Sequence, residues 1–442
     1  AITYEGLERT IIYDNRKQPI RDIAEITEDR QITIHENYIA FLWCLSFAMV
    51  TFYKERESDT DQCTISKLQN AISLLQYGYS LKAVSYQTFT NRFSRLAAGI
   101  RALDGICPKD RIIICMENRP EYLDILLACW CAGLCVVPVN AKLHVKEILH
   151  IVSDSAARVV LLDEAYAEDL GQLFIEAHLH VHVLIAGSQD YANLYDAQPM
   201  ACVEVQSDDL AWIFYTSGTT GNPKGALFSH RSTRLHAYVS ALPDSFDMSA
   251  SDTIMPVVPM FHVNAWGIPY SCPMVGAKLV LPGPQLDAPS LFELIQSEEV
   301  TMSLGVPTVW SNLLLHMSEN DQSFTHFKKA VVGGSACPPK MMDSLNHLGV
   351  RVIHAWGMTE LSPLGTFATL TGADLKKPIS EQHKILQKQG RALFGIEMKI
   401  VDEDGLELVH DGVAFGNLSL AKSFSDGPSS SSLPIAFVPL SF

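Results

Sequence analysis

The segment Tyr215-Thr216-Ser217-Gly218-Thr219-Thr220-Gly221-Asn222-Pro223-Lys224-Gly225 has the chemistry of an anion-binding loop. Gly218, Gly221 and Gly225 let the backbone turn tightly and aim successive N–H groups at one point, a nest for an oxyanion. Thr216, Ser217, Thr219 and Thr220 add hydroxyl donors, and Lys224 adds a point charge suited to phosphate. The order is not that of a Walker loop, where Gly-Lys-Ser/Thr are adjacent, because Pro223 precedes Lys224 here. A plain polar surface loop is the competing reading. The density of glycine, hydroxyl and lysine behind the apolar run Leu210 to Phe214 argues against it.

Other groupings carry less. His178, His180 and His182 alternate in HLHVHV, which would put their imidazoles on one face of a strand. With no carboxylate or cysteine close by, a solvated strand face accounts for them better than a metal site. Cys129, Cys131 and Cys135 lack zinc-ligand spacing and read as small core residues. Gly333-Gly334-Ser335-Ala336-Cys337 lacks the closing glycine of a nucleophile elbow.

The elements that must position these residues follow an alternating pattern. Phe93, Leu96, Ala97 and Ile100 recur at helical spacing, and Arg111 to Met116 is a buried-strand run. Tyr122 to Ala132 reads as an apolar helix, Val136 to Val139 as a strand, Ile148, Ile151 and Val152 as a helix face, and Val159 to Leu162 as a strand. Strand runs recur at Lys278 to Leu281, Met302 to Leu304, Ala330 to Val332 and Val350 to Ile353. Strands alternating with helices predict an α/β fold of parallel sheets covered by helices. Near the end, Met398 to Val401, the turn Asp402 to Gly405 and Leu406 to Leu408 predict a hairpin.

Composition sets the bounds. The 442 residues are 48% hydrophobic and 19% charged, enough for sizeable packed cores and unlike a disordered chain. Lys and Arg number 33 against 49 Asp and Glu, a net charge of −16 that repels a phosphate backbone and excludes nucleic acid as the expected partner. Ten scattered cysteines do not make a disulfide scaffold, so the expectation is a reducing, cytoplasmic setting. The start, Ala1-Ile2-Thr3-Tyr4, has no basic n-region of a signal peptide. Residues 38–53 carry no charge but fall short of the ~20 apolar residues of a spanning helix. Membrane association through 38–53 is therefore the less favoured alternative.

The loop resembles the signature of the AMP-forming acyl-adenylate ligases, the family of acyl-CoA synthetases, luciferases and peptide-synthetase adenylation domains. Further stretches agree in order. Pro259-Met260-Phe261-His262-Val263-Asn264-Ala265-Trp266 resembles the acyl-pocket motif, and Gly333-Gly334-Ser335-Ala336-Cys337-Pro338 the adenine-lining turn. His354-Ala355-Trp356-Gly357-Met358-Thr359-Glu360 resembles the segment ending in a magnesium-binding glutamate. The wording is most similar to medium- and long-chain fatty acyl-CoA synthetases.

That resemblance implies an α/β fold, namely the large N-terminal domain of stacked α/β sandwiches plus a small β-barrel. It implies ATP, Mg²⁺ and coenzyme A as cofactors and cosubstrates, with a fatty acid as the acid. The residues implied to hold nucleotide are Thr216 to Gly221 with Lys224, then Gly334, Ser335 and Ala336, then His354 to Thr359, with Trp356 stacking on adenine. Glu360 is the implied Mg²⁺ ligand. Thr216, Lys224, His262, Thr359 and Glu360 are the implied catalytic set, and His262, Trp266, Gly267 and Val309, with Ile268 and Val306, the acyl side. For His262 a satisfied core histidine is the rival reading.

The resemblance covers residues 84–416. Residues 1–82 depart from the family, and 417–442 read as a low-complexity tail where the mobile C-terminal domain would follow. The ribose aspartate, the hinge and the adenylation lysine have no counterpart in Gly416-Asn417-Leu418-Ser419 and the serine run that follows. The leading expectation is thus a fatty acid–CoA ligase impaired in thioester synthesis. An ATP- and acyl-binding protein with little turnover is the alternative.

Overall fold

A computed structural model describes residues 10–14, 81–177, 179–216, 222–283, 285–409, 411 and 413–422. The apolar segment 38–53 and the serine run lie outside the described residues. Among those that are described, no helix is long and apolar enough to cross a membrane.

Strands β1 (Thr10–Asp14) and β2 (Leu81–Ser85) come first, followed by helix α1 (Tyr86–Arg101). Ser85 caps α1 by accepting a hydrogen bond from the Thr88 N–H, which satisfies one of the free donors of the first turn. The helical spacing of Phe89, Phe93, Leu96 and Ile100 turns all of them into the core. A run of crossovers follows: β3 (Arg111–Cys115), α2 (Pro120–Cys131), β4 (Cys135–Val139), α3 (Val145–Asp154), β5 (Ala157–Leu162), α4 (Glu164–Glu176) and β6 (His182–Ile185). With β7 (Leu210–Thr216) and β8 (Lys224–Ser229) they form a six-stranded sheet of order β6-β5-β3-β4-β7-β8. All its pairings are parallel except β7 with β8. Helix α2 starts on Pro120, whose missing N–H costs nothing at that position. It is buried on nearly every side because protein surrounds it: Trp130 meets Trp212 edge-on at 4.5 Å and donates to the Ala211 carbonyl, and the one buried charge, Asp124, is paired with Arg92.

The second half alternates likewise: α5 (His230–Ala241), β9 (Thr253–Pro256), α6 (Ile268–Val275), β10 (Lys278–Val280), α7 (Ala288–Ser297), β11 (Met302–Gly305), α8 (Pro307–Glu319), β12 (Lys329–Val332), α9 (Pro339–His347) and β13 (Arg351–Gly357). Then come β14 (Leu364–Phe367), α10 (Ile379–Leu386) and β15 (Arg391–Ala392). The nine-stranded sheet runs β15-β14-β13-β12-β11-β9-β10-β1-β2, with β10, β9, β11, β12 and β13 parallel. The two sheets share one continuous core in which Trp130, Trp212 and Tyr270 are packed together. Tyr86 at the start of α1 donates across it to the Ala277 carbonyl at 2.7 Å.

Several expectations change. Residues 10–14, inside the stretch set apart from the fold, pair parallel with β10 and antiparallel with β2. The terminal hairpin closes as expected, with Leu408 donating to the Ile400 carbonyl at 2.8 Å, Asp402 to the Leu406 carbonyl at 2.9 Å and Glu407 bridging Val401. But β16 (Ile396–Val401) also pairs along its length with a strand that was not expected, β17 (Asn417–Lys422). Ile400 and Met398 face Leu418 and Leu420, an apolar match that adds this strand alongside the turn at residues 402–405. Residues 417–422 are therefore strand. The histidine alternation does not make a strand face: His178 lies outside the described residues, His180 is exposed and irregular, and strand begins only at His182, whose Nε2 meets the Asp104 carbonyl.

Candidate active site

Strands β9, β11, β12 and β13 are parallel neighbours, so their carboxyl ends open on one edge. Off that edge leave, in turn, the segment containing His262, the segment Val306–Val309, the turn Gly333–Pro338 and the turn Met358–Glu360. In an open parallel sheet ligand crevices form at the carboxyl ends where strand order reverses and successive connections diverge, here between β9 and β11. Motifs far apart in the chain are thus gathered by topology.

The first segment is braced by a residue that carries no motif. Asn118, just beyond β3, accepts from the Met260 N–H at 2.6 Å and donates to the Val258 carbonyl at 3.1 Å. It ties the edges of the two sheets together. After it, Val263, Asn264, Ala265 and Trp266 all take left-handed backbone conformations, φ 41°, 50°, 46° and 58°, and Gly267 follows at 88°. Each non-glycine residue there costs roughly 1–2 kcal/mol. The turn folds Trp266 back, 6% exposed, against the Gly333–Pro338 turn: a Cβ added at Gly333 would lie 3.0 Å from Trp266 Cη2. His262, which enters the turn, is exposed rather than a core histidine, and the protein around it lowers its pKa by desolvation. Gly267 faces Tyr270 and His236, and Ile268 is fully buried, so both sit in the packed interior rather than along an open lining. Val306 is exposed and lies against Gly334, and Val309 is half-buried beside Gly305.

In the Gly333–Pro338 turn, Gly334 sits at φ 78° with Ser335 and Ala336 exposed beside it. Cys337 anchors the turn by donating its N–H to His354 Nε2 at 3.2 Å, and His354 Nδ1 lies 3.3 Å from the Leu386 carbonyl. Accepting at Nε2 leaves the proton on Nδ1, and desolvation lowers the pKa, so the imidazole is neutral. His354 is 1% exposed, so it supports the turn from behind instead of facing a ligand. Ala355 is likewise buried. Trp356 is half-buried and packs on Gly365 of β14. Gly357 allows the strand to pass Pro363: a Cβ there would lie 1.8 Å from the Pro363 carbonyl oxygen. A tight 3₁₀ turn, Thr359–Leu361, then presents Glu360 half-exposed, with no hydrogen bond or ion pair to its carboxylate among the described residues.

The glycine- and threonine-rich loop joins antiparallel strands β7 and β8, and Thr216 stands directly opposite Lys224 at its mouth. Ser217, Gly218, Thr219, Thr220 and Gly221 lie outside the described residues. Both flanks are tied to α3: Tyr215 donates to Asp154 Oδ2 at 2.6 Å, and His150 Nε2 is 3.2 Å from the Pro223 carbonyl. Sequence reading missed His150 and Asp154, as it missed Asn118, because none belongs to a local pattern.

A family model described as AMP-binding enzyme matches residues 66–424. The medium-chain-fatty-acid–CoA ligase of Ectopseudomonas oleovorans is 42% identical over 342 residues, 74% of this chain and 62% of that protein. The 3-methylmercaptopropionyl-CoA ligase of Ruegeria lacuscaerulensis is 40% identical over 329 residues, 71% of this chain and 61% of its own length. The chain thus spans about three fifths of the length of these relatives. In fold it is similar to the crystal structure of the N-terminal domain of FACL13 from Mycobacterium tuberculosis, with a TM-score of 0.68 and 24% identity over 78% of this chain and 83% of that one. It is also similar to FadD1, a long-chain-fatty-acid-CoA ligase from Archaeoglobus fulgidus, with a TM-score of 0.70 and 21% identity over 90% and 78% of the two chains.

Proposed function

This chain belongs to the AMP-binding enzyme family, and on that premise we propose that it is the large-domain part of a medium- or long-chain fatty acid–CoA ligase. The reading rests on one observation, the meeting of Trp266 with Gly333 at the shared sheet edge. An acid on the Trp266 side and an adenine on the Gly334–Ala336 side would bring carboxylate and α-phosphate together between them. A carboxylate oxygen then bonds to the α-phosphorus as its bond to the bridging oxygen breaks, giving acyl-AMP and pyrophosphate. The CoA thiolate next displaces AMP from the acyl carbon. Such chemistry needs placement and charge neutralisation more than covalent help.

Thr216, Lys224 and the loop between them would hold the departing phosphates, and Thr359 would donate to the α-phosphate. Neutral His262 would stand between the nucleotide and acid. Among the described residues no cluster of ligating side chains forms a metal cage. The carboxylate of Glu360 suits Mg²⁺, which would take its other ligands from phosphates and water. Bound there, the ion would neutralise charge on the phosphates. The relatives' names, a medium-chain fatty acid and a 3-methylmercaptopropionyl group, support an aliphatic acid.

Carboxylate-dependent ATP–pyrophosphate exchange over a series of straight-chain acids tests the reading. At about 0.8 kcal/mol per buried methylene, apparent affinity should climb about fourfold per carbon until added methylenes no longer find apolar surface to bury. Equal exchange with acetate and dodecanoate, or exchange with no acid, overturns it.

A further inference from the structure

Cys131 closes α2, and Cys202 lies in the irregular segment leading toward β7. Their sulfurs are 2.9 Å apart. Unbonded atoms as small as carbon settle at about 3.5–4.0 Å, so the pair is inside contact distance and short of the ~2.05 Å of a bond. The backbones hold this approach: Val203 donates its N–H to the Cys131 carbonyl at 2.8 Å, and a Cβ added at Gly133 would lie 3.2 Å from Val203 Cγ1. Cys131 is fully buried, whereas Cys202 reaches solvent. The site described above uses neither residue.

We propose that Cys131 and Cys202 are a redox pair that closes to an intramolecular disulfide when the chain meets a low-molecular-weight disulfide such as oxidised glutathione. Cys202 loses its proton to water, and its thiolate attacks one glutathione sulfur; the S–S bond breaks and one glutathione thiolate leaves. The Cys131 thiolate then attacks the Cys202 sulfur and expels the second glutathione. Two protein thiols give up two electrons and two protons, and one glutathione disulfide becomes two thiols. Burial pushes both cysteine thiols up to about 12, which leaves little thiolate at neutral pH and makes closure slow. The equilibrium favours the bond all the same, because the partner sulfur is already in place. The link fastens the end of α2 to the segment entering β7, the strand that leads into the anion-binding loop.

The full chain is held in glutathione mixtures of set ratio, quenched, alkylated and mapped without reduction. A cross-linked pair of peptides containing Cys131 and Cys202, lighter by two hydrogens, is expected as the disulfide fraction rises. It should disappear with dithiothreitol and in Cys131→Ser and Cys202→Ser, and the oxidised chain should melt several degrees above the reduced one. Exposed Cys107 serves as the internal control, taking up glutathione as a mixed disulfide and proving that oxidant reached the protein. Full alkylation of Cys131 and Cys202 while Cys107 is modified overturns the proposal. So does a stable glutathione adduct on Cys202 with no cross-link, or a disulfide to any other cysteine.

Discussion

An added Cβ at Gly357 would fall 1.8 Å from a backbone oxygen, and backbone cannot step aside as a side chain can. Gly357→Ala should therefore cost on the order of 3 kcal/mol or more, read as a fall in the urea midpoint at unchanged slope. Glu360 makes the opposite case. It is half-exposed and unpaired among the described residues, so Glu360→Gln should move stability by less than about 0.5 kcal/mol. If its charge serves the phosphates, the same change should lower pyrophosphate exchange about 10²–10³-fold. Equal exchange by the variant and the parent chain would remove Glu360 from the proposed chemistry.

At the scale of elements, Asn118 joins the carboxyl edge of one sheet to that of the other by two hydrogen bonds. Asn118→Leu leaves the Met260 N–H and the Val258 carbonyl without this partner, at about 1–3 kcal/mol for each group left buried and unpaired. We expect the KM for the acid to rise more than that for ATP, because the strap carries His262 and not the Gly333 turn; steady-state kinetics with each substrate varied would show it. How far this was legible depends on range. The parallel strands β3, β4, β5, β10, β11, β12 and β13, with β7, were readable because apolar runs such as Arg111–Cys115 and Met302–Gly305 mark themselves within a few residues; β1, β2, β8, β9, β14 and β15 were not. The Asn118 strap was not, since its partners lie 142 and 140 residues away. Nor was the left-handed turn 263–266, where Val, Asn, Ala and Trp give no glycine signal. The motif Gly333–Cys337 was visible, but His354 as its support was not, because a strand histidine looks the same whether it faces a ligand or a backbone N–H. The final hairpin was legible from its strand runs and turn residues, whereas the second neighbour of β16, the strand β17, was hidden by the polar texture around it.

Across the whole molecule, a half-buried histidine and a buried carboxyl pull stability in opposite directions in acid. Desolvation lowers the pKa of His230 to about 4, so the stability it contributes is complete above its unfolded value and is lost as pH falls from about 6.5 to 4. Desolvation raises Asp124 to about 6 against the pull of Arg92, so its charged form is a burden above pH 6 that is relieved on acidification. Each shift corresponds to roughly 3 kcal/mol, and the windows overlap, so the two should nearly offset each other. Replacing His230 by Gln removes one side of the balance. Relative to the parent chain, the variant should gain up to about 3 kcal/mol between pH 6.5 and 4, measured by urea unfolding at stepped pH. Parallel profiles for the two proteins would refute the assignment.

Because the motif segments all leave the parallel strands at their carboxyl ends, the other edge of the sheet is open ground for engineering. Gly349 stands there, exposed, at φ 76°, with nothing within 4 Å of where a Cβ would sit, just before β13 begins. A reporter domain spliced in at Gly349 would grow away from the crevice, with the length of β13 between the graft and Glu360. Such a fusion should report on folding in cells while leaving nucleotide affinity as it was, whereas the same insert at Gly334 should abolish it.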